Sequence, residues 1–134
     1  MEVEVEKEQG PVKALVADDS KTMRRVMIAA LSHAGITDVV EAADGWEAVA
    51  AVKAEQFDII VMDWYMPNML GIDAVRAIRA ENRGMPIIMV TVEADRNQVV
   101  EALKAGVTDY LIKPVSPTVL TARIREALGN ASSE

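Results

Sequence analysis

Phe57-Asp58-Ile59-Ile60-Val61-Met62-Asp63-Trp64-Tyr65-Met66-Pro67-Asn68-Met69-Leu70-Gly71 is the stretch that sets the fold class of this 134-residue chain. Its first six residues are almost continuously apolar, as in a central parallel strand covered on both faces. A polar loop with Pro67 and Gly71 follows, and then Ile72, Val75 and Ile78 repeat at helical spacing. That is one βα unit, and the pattern recurs on both sides of it. Upstream, Val12 to Ala17 reads as a strand, and Met23, Val26, Met27, Ala30 and Leu31 as an amphipathic helix ended by Gly35. A second strand near Val39 to Ala42 leads through the turn dipeptide Asp44-Gly45 into a helix over about Glu47 to Glu55. Downstream, Pro86 to Val90, Asn97 to Ala105 closed by Gly106, and Tyr110 to Ile112 read as strand, helix and strand. Ser116-Pro117 opens a last helix with a capping hydroxyl and a proline in the first turn, and Leu120, Ile124 and Leu128 form its buried stripe. The expected fold is α/β, a doubly wound five-stranded parallel sheet built as (βα)₅.

Composition narrows the function classes. The chain is 51% hydrophobic and 26% charged, without an apolar run near the roughly 20 residues that cross a bilayer. No membrane association is expected. It has no cysteine, which excludes disulfides, thiolate metal sites and a cysteine nucleophile, and no basic and apolar leader, so a cytoplasmic setting is the expectation. The net charge of −7 opposes direct binding to nucleic acid, which depends on Lys and Arg displacing counterions. Residues 1–10 alternate Glu and Val and are expected to form a disordered acidic arm rather than an edge strand, residues 11–129 the domain, and residues 130–134 a frayed tail. No second composition regime suggests an output module, so a stand-alone domain is expected.

In open doubly wound sheets, ligands bind beyond the carboxyl ends of the strands. There the chain carries Asp18-Asp19 after strand one, Asp63 after strand three, Thr91 after strand four and Lys113 after strand five. Each alone has a structural explanation: Asp19 a helix cap, Asp63 a loop solvator, Thr91 a β-branched strand residue, Lys113 a solvated charge. Together on one rim they suit phosphoryl transfer, which needs positioning and charge neutralisation. Three adjacent carboxylates repel unless a hard, oxygen-liganded ion holds them, and Mg²⁺ is the natural choice, with Mn²⁺ able to substitute. Asp18, Asp19 and Asp63 are then metal ligands, Asp63 is also the nucleophile that forms an aspartyl phosphate, and Thr91 and Lys113 hold phosphoryl oxygens.

At these residues the sequence resembles the response-regulator receiver family, in particular its single-domain chemotaxis members of the CheY type. The resemblance covers about residues 12–128 and rests on Asp18-Asp19, Asp63-Trp64-Tyr65-Met66-Pro67-Asn68-Met69 with Gly71, Thr91, and Lys113-Pro114. It implies a flavodoxin-like, three-layer sandwich with strand order 2-1-3-4-5, a sensor histidine kinase as phosphodonor in a two-component phosphorelay, and a backbone carbonyl of Tyr65 among the Mg²⁺ ligands. It implies a cis peptide between Lys113 and Pro114, which an X-Pro bond permits. It further implies a switch in which Thr91 swings toward the phosphoryl group and Tyr110 rotates inward. The face of helix four, strand five and helix five is thereby reshaped to bind a downstream protein, as a monomer or a phosphorylation-dependent dimer.

Tyr65 stands where these relatives have Asn, and Val92 where a small residue follows the Thr. With Glu93, they are the expected modulators of dephosphorylation, Tyr65 and Val92 by restricting access of water. Leu70 replaces a common Asp and is not expected to touch the chemistry. Met23 and Met27 are expected in the core, Met66 and Met69 nearer the surface, Trp64 beside solvent, and His33 on a helix surface. A rival reading is a small aspartyl-phosphate phosphatase, an enzyme acting on other substrates. It would want a general acid where Tyr65 stands and a cap over the site. The chain is therefore expected to catalyse only its own phosphorylation and dephosphorylation. A receiver-like module that is never phosphorylated is disfavoured by the complete acidic site, and a flavin binder by the absence of a Ser/Thr/Gly-rich loop after strand one.

Overall fold

Five strands and five helices alternate along the chain in the computed structural model, which describes residues 11–81 and 83–132, with side chains as far as 129. They are β1 (Lys13–Ala17), α1 (Lys21–His33), β2 (Asp38–Ala42), α2 (Gly45–Ala54) and β3 (Ile59–Met62), then α3 (Gly71–Ala80), β4 (Ile87–Thr91), α4 (Arg96–Ala105), β5 (Asp109–Ile112) and α5 (Pro117–Ser132). All strand pairs are parallel, as expected from the alternation, and the sheet order is β2-β1-β3-β4-β5, the order that the family resemblance implies. Residues 1–10, read above as an acidic arm, and residues 133–134 lie outside the described residues. The helix α5 runs to Ser132, past the end of its apolar stripe at Leu128, so the expected fraying tail begins inside it.

The apolar runs are explained by burial on two faces. Leu15, Ala17, Ile60, Met62, Ile87 and Met89 point into one layer, with Ile72, Val75 and Ile78 of α3 and Val52 of α2. Ala14, Val16, Ile59, Val61, Ile88 and Val90 alternate with them and meet Met27 and Leu31 of α1 and Leu120 and Ile124 of α5. Period-two alternation thus places every residue of β3, and Ile87 to Val90 of β4, in a core, which is why those strands read as unbroken hydrophobic runs.

Caps shift several helix starts from the positions that apolar spacing suggests. Asp44 accepts the Glu47 N–H at 2.8 Å while the Glu47 carboxylate accepts the Ala43 N–H at 2.7 Å, a reciprocal cap that starts α2 at Gly45. Asp95 accepts the N–H groups of Asn97 and Gln98 and starts α4 at Arg96. The cap of α1 is Ser20, not Asp19. Gly106, at φ 115°, closes α4 in the left-handed conformation that favours glycine.

Gly71 anchors the loop of residues 63–70. Its N–H donates to the Trp64 carbonyl at 2.7 Å, and a Cβ there would lie 2.0 Å from the Asp63 carbonyl oxygen. Backbone meets backbone, so a side chain cannot be accommodated by rotamer change. Gly71→Ala is expected to lower stability by about 1–3 kcal/mol, the usual range for overpacking, in urea unfolding followed by far-UV circular dichroism. An unchanged midpoint would show that the loop yields freely.

Candidate functional site

The register of the sheet builds the site. Ala17 pairs with Met62 across β1 and β3, so the following residues, Asp18 and Asp63, emerge side by side at the carboxyl edge. Their backbones are tied to the sheet by bonds from the Asp18 N–H to the Ala42 carbonyl at 3.1 Å and from the Asp63 N–H to the Ala17 carbonyl at 2.9 Å. On the far side Ile112 pairs with Thr91, and the Lys113 N–H donates to the Thr91 carbonyl at 2.8 Å. Lys113 precedes Pro114 through a cis peptide, as the family resemblance implies.

From there the Lys113 ammonium bridges two carboxylates. Nζ donates to Asp18 Oδ2 at 3.0 Å and to Asp63 Oδ2 at 3.2 Å. The other oxygens are held by backbone: Asp18 Oδ1 accepts the Ser20 N–H at 2.8 Å and Asp63 Oδ1 the Trp64 N–H at 2.7 Å. Asp18 and Asp63 are buried, at 0% and 6% exposure, while Asp19 faces solvent. Ligand oxygens of all three carboxylates lie within 4.8 Å of one another.

Positive charge is short in this cluster, because three carboxylates lie together and the Lys113 ammonium pairs with two of them, Asp18 and Asp63. Burial pushes the Asp18 carboxyl above its usual range, and the nearby Asp63 charge adds to the rise, against the lowering effect of the Ser20 and Lys113 bonds. Burial alone would lower the Lys113 ammonium, but its contacts with Asp18 and Asp63 outweigh this and raise it. The donor set, hard carboxylate oxygens from three residues with one accessible to water, fits an oxygen-liganded divalent cation.

Thr91 is fully buried at the end of β4, the strand beside β3. Tyr110 is half-buried, and its hydroxyl donates to the Glu93 carbonyl at 2.7 Å. Burial, followed by the nearby Glu93 charge, pushes its phenol up to about 12. Tyr65 is 43% exposed and its hydroxyl donates to the Glu93 carboxylate; that bond, then burial and the Glu93 charge, raise the phenol above its ordinary value. Val92 is 65% exposed, so its side chain projects into water. Leu70 stands at the N-terminus of α3 without a capping side-chain bond.

Two expectations fail. Trp64 is 4% exposed and Met66 6%, both inside the core layer rather than beside solvent. The bond from Gly71 back to the Trp64 carbonyl folds the loop onto α3, and burial of an indole and a thioether there removes large apolar surface from water. The solvent-facing indole is Trp46, 61% exposed, whose Nε1 donates to the Asn68 carbonyl at 3.2 Å. Met69 is half-buried, Met27 fully buried, Met23 partly so, and His33 exposed in the last turn of α1.

Other contributors were not anticipated. Arg24 donates to the Asp18 carbonyl at 2.7 Å and to Glu41 at 2.8 Å, holding the turn after β1. Asn68, in the left-handed region at φ 70°, donates from Nδ2 to Asp44 Oδ2 at 2.6 Å and joins the loop after β3 to the α2 cap. An Asp-x-x-Glu pattern at Asp44 and Glu47 signals the cap, but nothing local signals its partner Asn68.

A parallel five-stranded sheet with this acidic, lysine-bridged rim defines a class of phosphoacceptor domain. The family model for the response regulator receiver domain matches residues 14–125, and the chain belongs to that family. Chemotaxis protein CheY homolog of Campylobacter jejuni is 44% identical over 126 residues, covering 92% of this chain and 97% of that protein. Chemotaxis protein CheY of Pseudomonas aeruginosa is 44% identical over 117 residues, covering 86% of this chain and 94% of that protein. Among solved structures, chemotaxis protein CheY4 of Vibrio cholerae superposes with a TM-score of 0.80 at 35% identity, covering 87% of this chain and 98% of that one. A CheY-like receiver domain protein from Methanospirillum hungatei gives 0.84 at 30% identity, covering 90% and 96%. The chain is thus a CheY-like receiver domain, and the role of its family is phosphorelay: such domains take a phosphoryl group from a kinase and bind downstream partners.

Relieving the crowded charge has a measurable effect. Asp18→Asn keeps an acceptor for Lys113 and removes one buried negative charge, so it is expected to stabilise the metal-free protein. A gain of about 1 kcal/mol or more follows from the Coulomb energy of adjacent like charges in a partly solvated site. Thermal unfolding in EDTA at neutral pH checks it, and a lower midpoint would mean that Asp18 is better satisfied than its surroundings suggest.

Proposed function

We propose that Asp63 is the phosphoacceptor, that Mg²⁺ is held by the carboxylates of Asp18, Asp19 and Asp63 with the Tyr65 backbone carbonyl, and that a histidine kinase is the donor. The observation that carries this reading is the Lys113 ammonium bridging Asp18 and Asp63 within a cluster of three carboxylates. Asp63 has one oxygen fixed by the Trp64 N–H and the other facing Lys113, so its carboxylate is oriented before a donor arrives. An Asp63 oxygen attacks the phosphorus of a phosphohistidine; the new P–O bond forms as the P–N bond breaks, and the imidazole leaves with the electron pair. Bound Mg²⁺ would supply neutralisation of the negative oxygens. Lys113 faces the transferred group from the other side, and Thr91 offers a hydroxyl at the end of β4.

The downstream partner docks, on this reading, on the α4-β5-α5 face, with Tyr110 and Thr91 as the switch. Exposed apolar residues on each of its elements support this: Leu103 on α4, Ile112 on β5 and Val119 on α5. The chain's chemistry is confined to its own phosphorylation and dephosphorylation in the cytoplasm, and chemotaxis is the pathway suggested by the names of its relatives. Tyr65, with Glu93 and Val92, modulates the lifetime of the phosphoryl group; of these, Tyr65 has the side chain that crosses the site's mouth, to Glu93.

Intact-mass analysis after treatment with a small phosphodonor tests the central step. A single phosphoryl adduct is expected with Mg²⁺ and not in EDTA, and none with Asp63→Asn; an adduct that persists in Asp63→Asn would refute the assignment. Mg²⁺ at about 100 times its dissociation constant should also stabilise the parent by about 2.7 kcal/mol, and Asp18→Asn should lose most of that gain. For the lifetime, Tyr65→Asn is expected to hydrolyse its phosphoryl group roughly threefold faster, a barrier change of about 0.7 kcal/mol, and equal rates would remove Tyr65 as a modulator.

A further inference from the structure

Four bonds meet at Glu93, in the loop of residues 92–95 between β4 and α4. One carboxylate oxygen accepts the Tyr65 hydroxyl, and the other accepts the Asp95 N–H at 3.0 Å. Its carbonyl accepts the Tyr110 hydroxyl at 2.7 Å, and its N–H reaches Thr91 Oγ1 at 3.4 Å. Asp95 in turn caps α4. A single residue therefore touches both residues of the expected switch, Thr91 and Tyr110, and the cap of the helix they are expected to move.

Packing does little to fix this loop. Val92, Ala94 and Asp95 are exposed and Glu93 is only partly covered, so the loop lacks an apolar anchor of its own. Tyr65 is differently placed. It follows the buried Trp64, against whose ring it lies tilted at 38° with centroids 6.1 Å apart, and so it is carried by the firm side of the site. The Tyr65–Glu93 bond ties a loosely packed loop to a well-packed one.

We infer that this bond is a strap: Tyr65 is a positioning residue that holds the β4–α4 loop where the Glu93 carbonyl can receive the Tyr110 hydroxyl, biasing the switch toward this half-buried ring position before any phosphoryl group arrives. The inference rests on Tyr110 being a switch residue. A hydrogen bond from a phenol to a charged acceptor at a half-exposed site shifts a two-state loop by roughly three- to tenfold.

The chain holds two tyrosines, so in protein labelled with ring-¹³C tyrosine the variant Tyr65→Phe leaves the Tyr110 signal alone. The measurement is made in EDTA without phosphodonor, so it does not depend on whether Asp63 is phosphorylated. In Tyr65→Phe, relaxation of the Tyr110 ring by a soluble paramagnetic agent and hydrogen exchange at the Asp95 amide are expected to rise by roughly threefold or more. Amides of the central strand residues Val61 and Ile88 should not change, which shows that the fold is intact. Glu93→Ala, which removes this bond together with the one from the Asp95 N–H and keeps the carbonyl, should loosen the Tyr110 ring at least as much. If Tyr65→Phe leaves both readouts as in the parent, the strap is refuted, including the case in which Glu93→Ala alone loosens the loop. If Tyr65→Phe disturbs the strand amides, the Glu93→Ala result decides, and an unmoved Tyr110 ring there refutes the strap.

Discussion

Lys113 holds this domain's functional edge together by sharing one ammonium between Asp18 and Asp63. The three residues come from the ends of β1, β3 and β5, so the bridge ties strands that are not all neighbours in the sheet. It spans two members of a cluster of three carboxylates with one positive charge, and burial pushes Asp18 upward. Close-packed layers on both faces keep the strand ends from spreading to relieve the repulsion. The structure thereby maintains an electrostatic deficit that a divalent cation can fill, and function follows from that constraint.

The loops around this edge divide into firm and soft. The loop after β3 is folded onto the core by Trp64 and Met66, by the Gly71 contact and by Asn68 on the α2 cap. That rigidity suits a nucleophile that must be held in orientation. The loop after β4 is exposed and relies on hydrogen bonds centred on Glu93 rather than on packing. On the proposed function, chemistry belongs to the first loop and signalling to the second, and the Tyr65 hydroxyl crosses between them.

Much of this was legible in the chain. Unbroken apolar runs at β3 and β4 and helical spacing elsewhere yield the (βα)₅ order, because two-sided burial leaves a direct imprint on residue type. Asp18, Asp63, Thr91 and Lys113 were legible for a related reason: strand ends of a doubly wound sheet share one edge, so residues far apart in sequence fall together once the strands are placed. The cis peptide at Pro114 came from the family resemblance rather than from spacing. What escaped was set by tertiary contact. Trp64 and Met66 look like loop residues until the Gly71 bond turns the loop inward, and Asn68 gives no local sign that it will bond Asp44. Glu93 reads from the sequence as a neighbour of the site alongside Tyr65, yet its position as the junction of four hydrogen bonds depends on the paths of two loops and a strand.

Chemical trapping of the acyl phosphate addresses the central claim most directly. Borohydride reduces an aspartyl phosphate to homoserine, and tandem mass spectrometry of the phosphodonor-treated, Mg²⁺-loaded protein locates the converted residue. The account predicts homoserine at position 63 and at no other carboxylate. Conversion at Asp18 or Asp19 in its place, or a phosphoryl group that resists reduction because it sits on a hydroxyl such as that of Thr91, would contradict it.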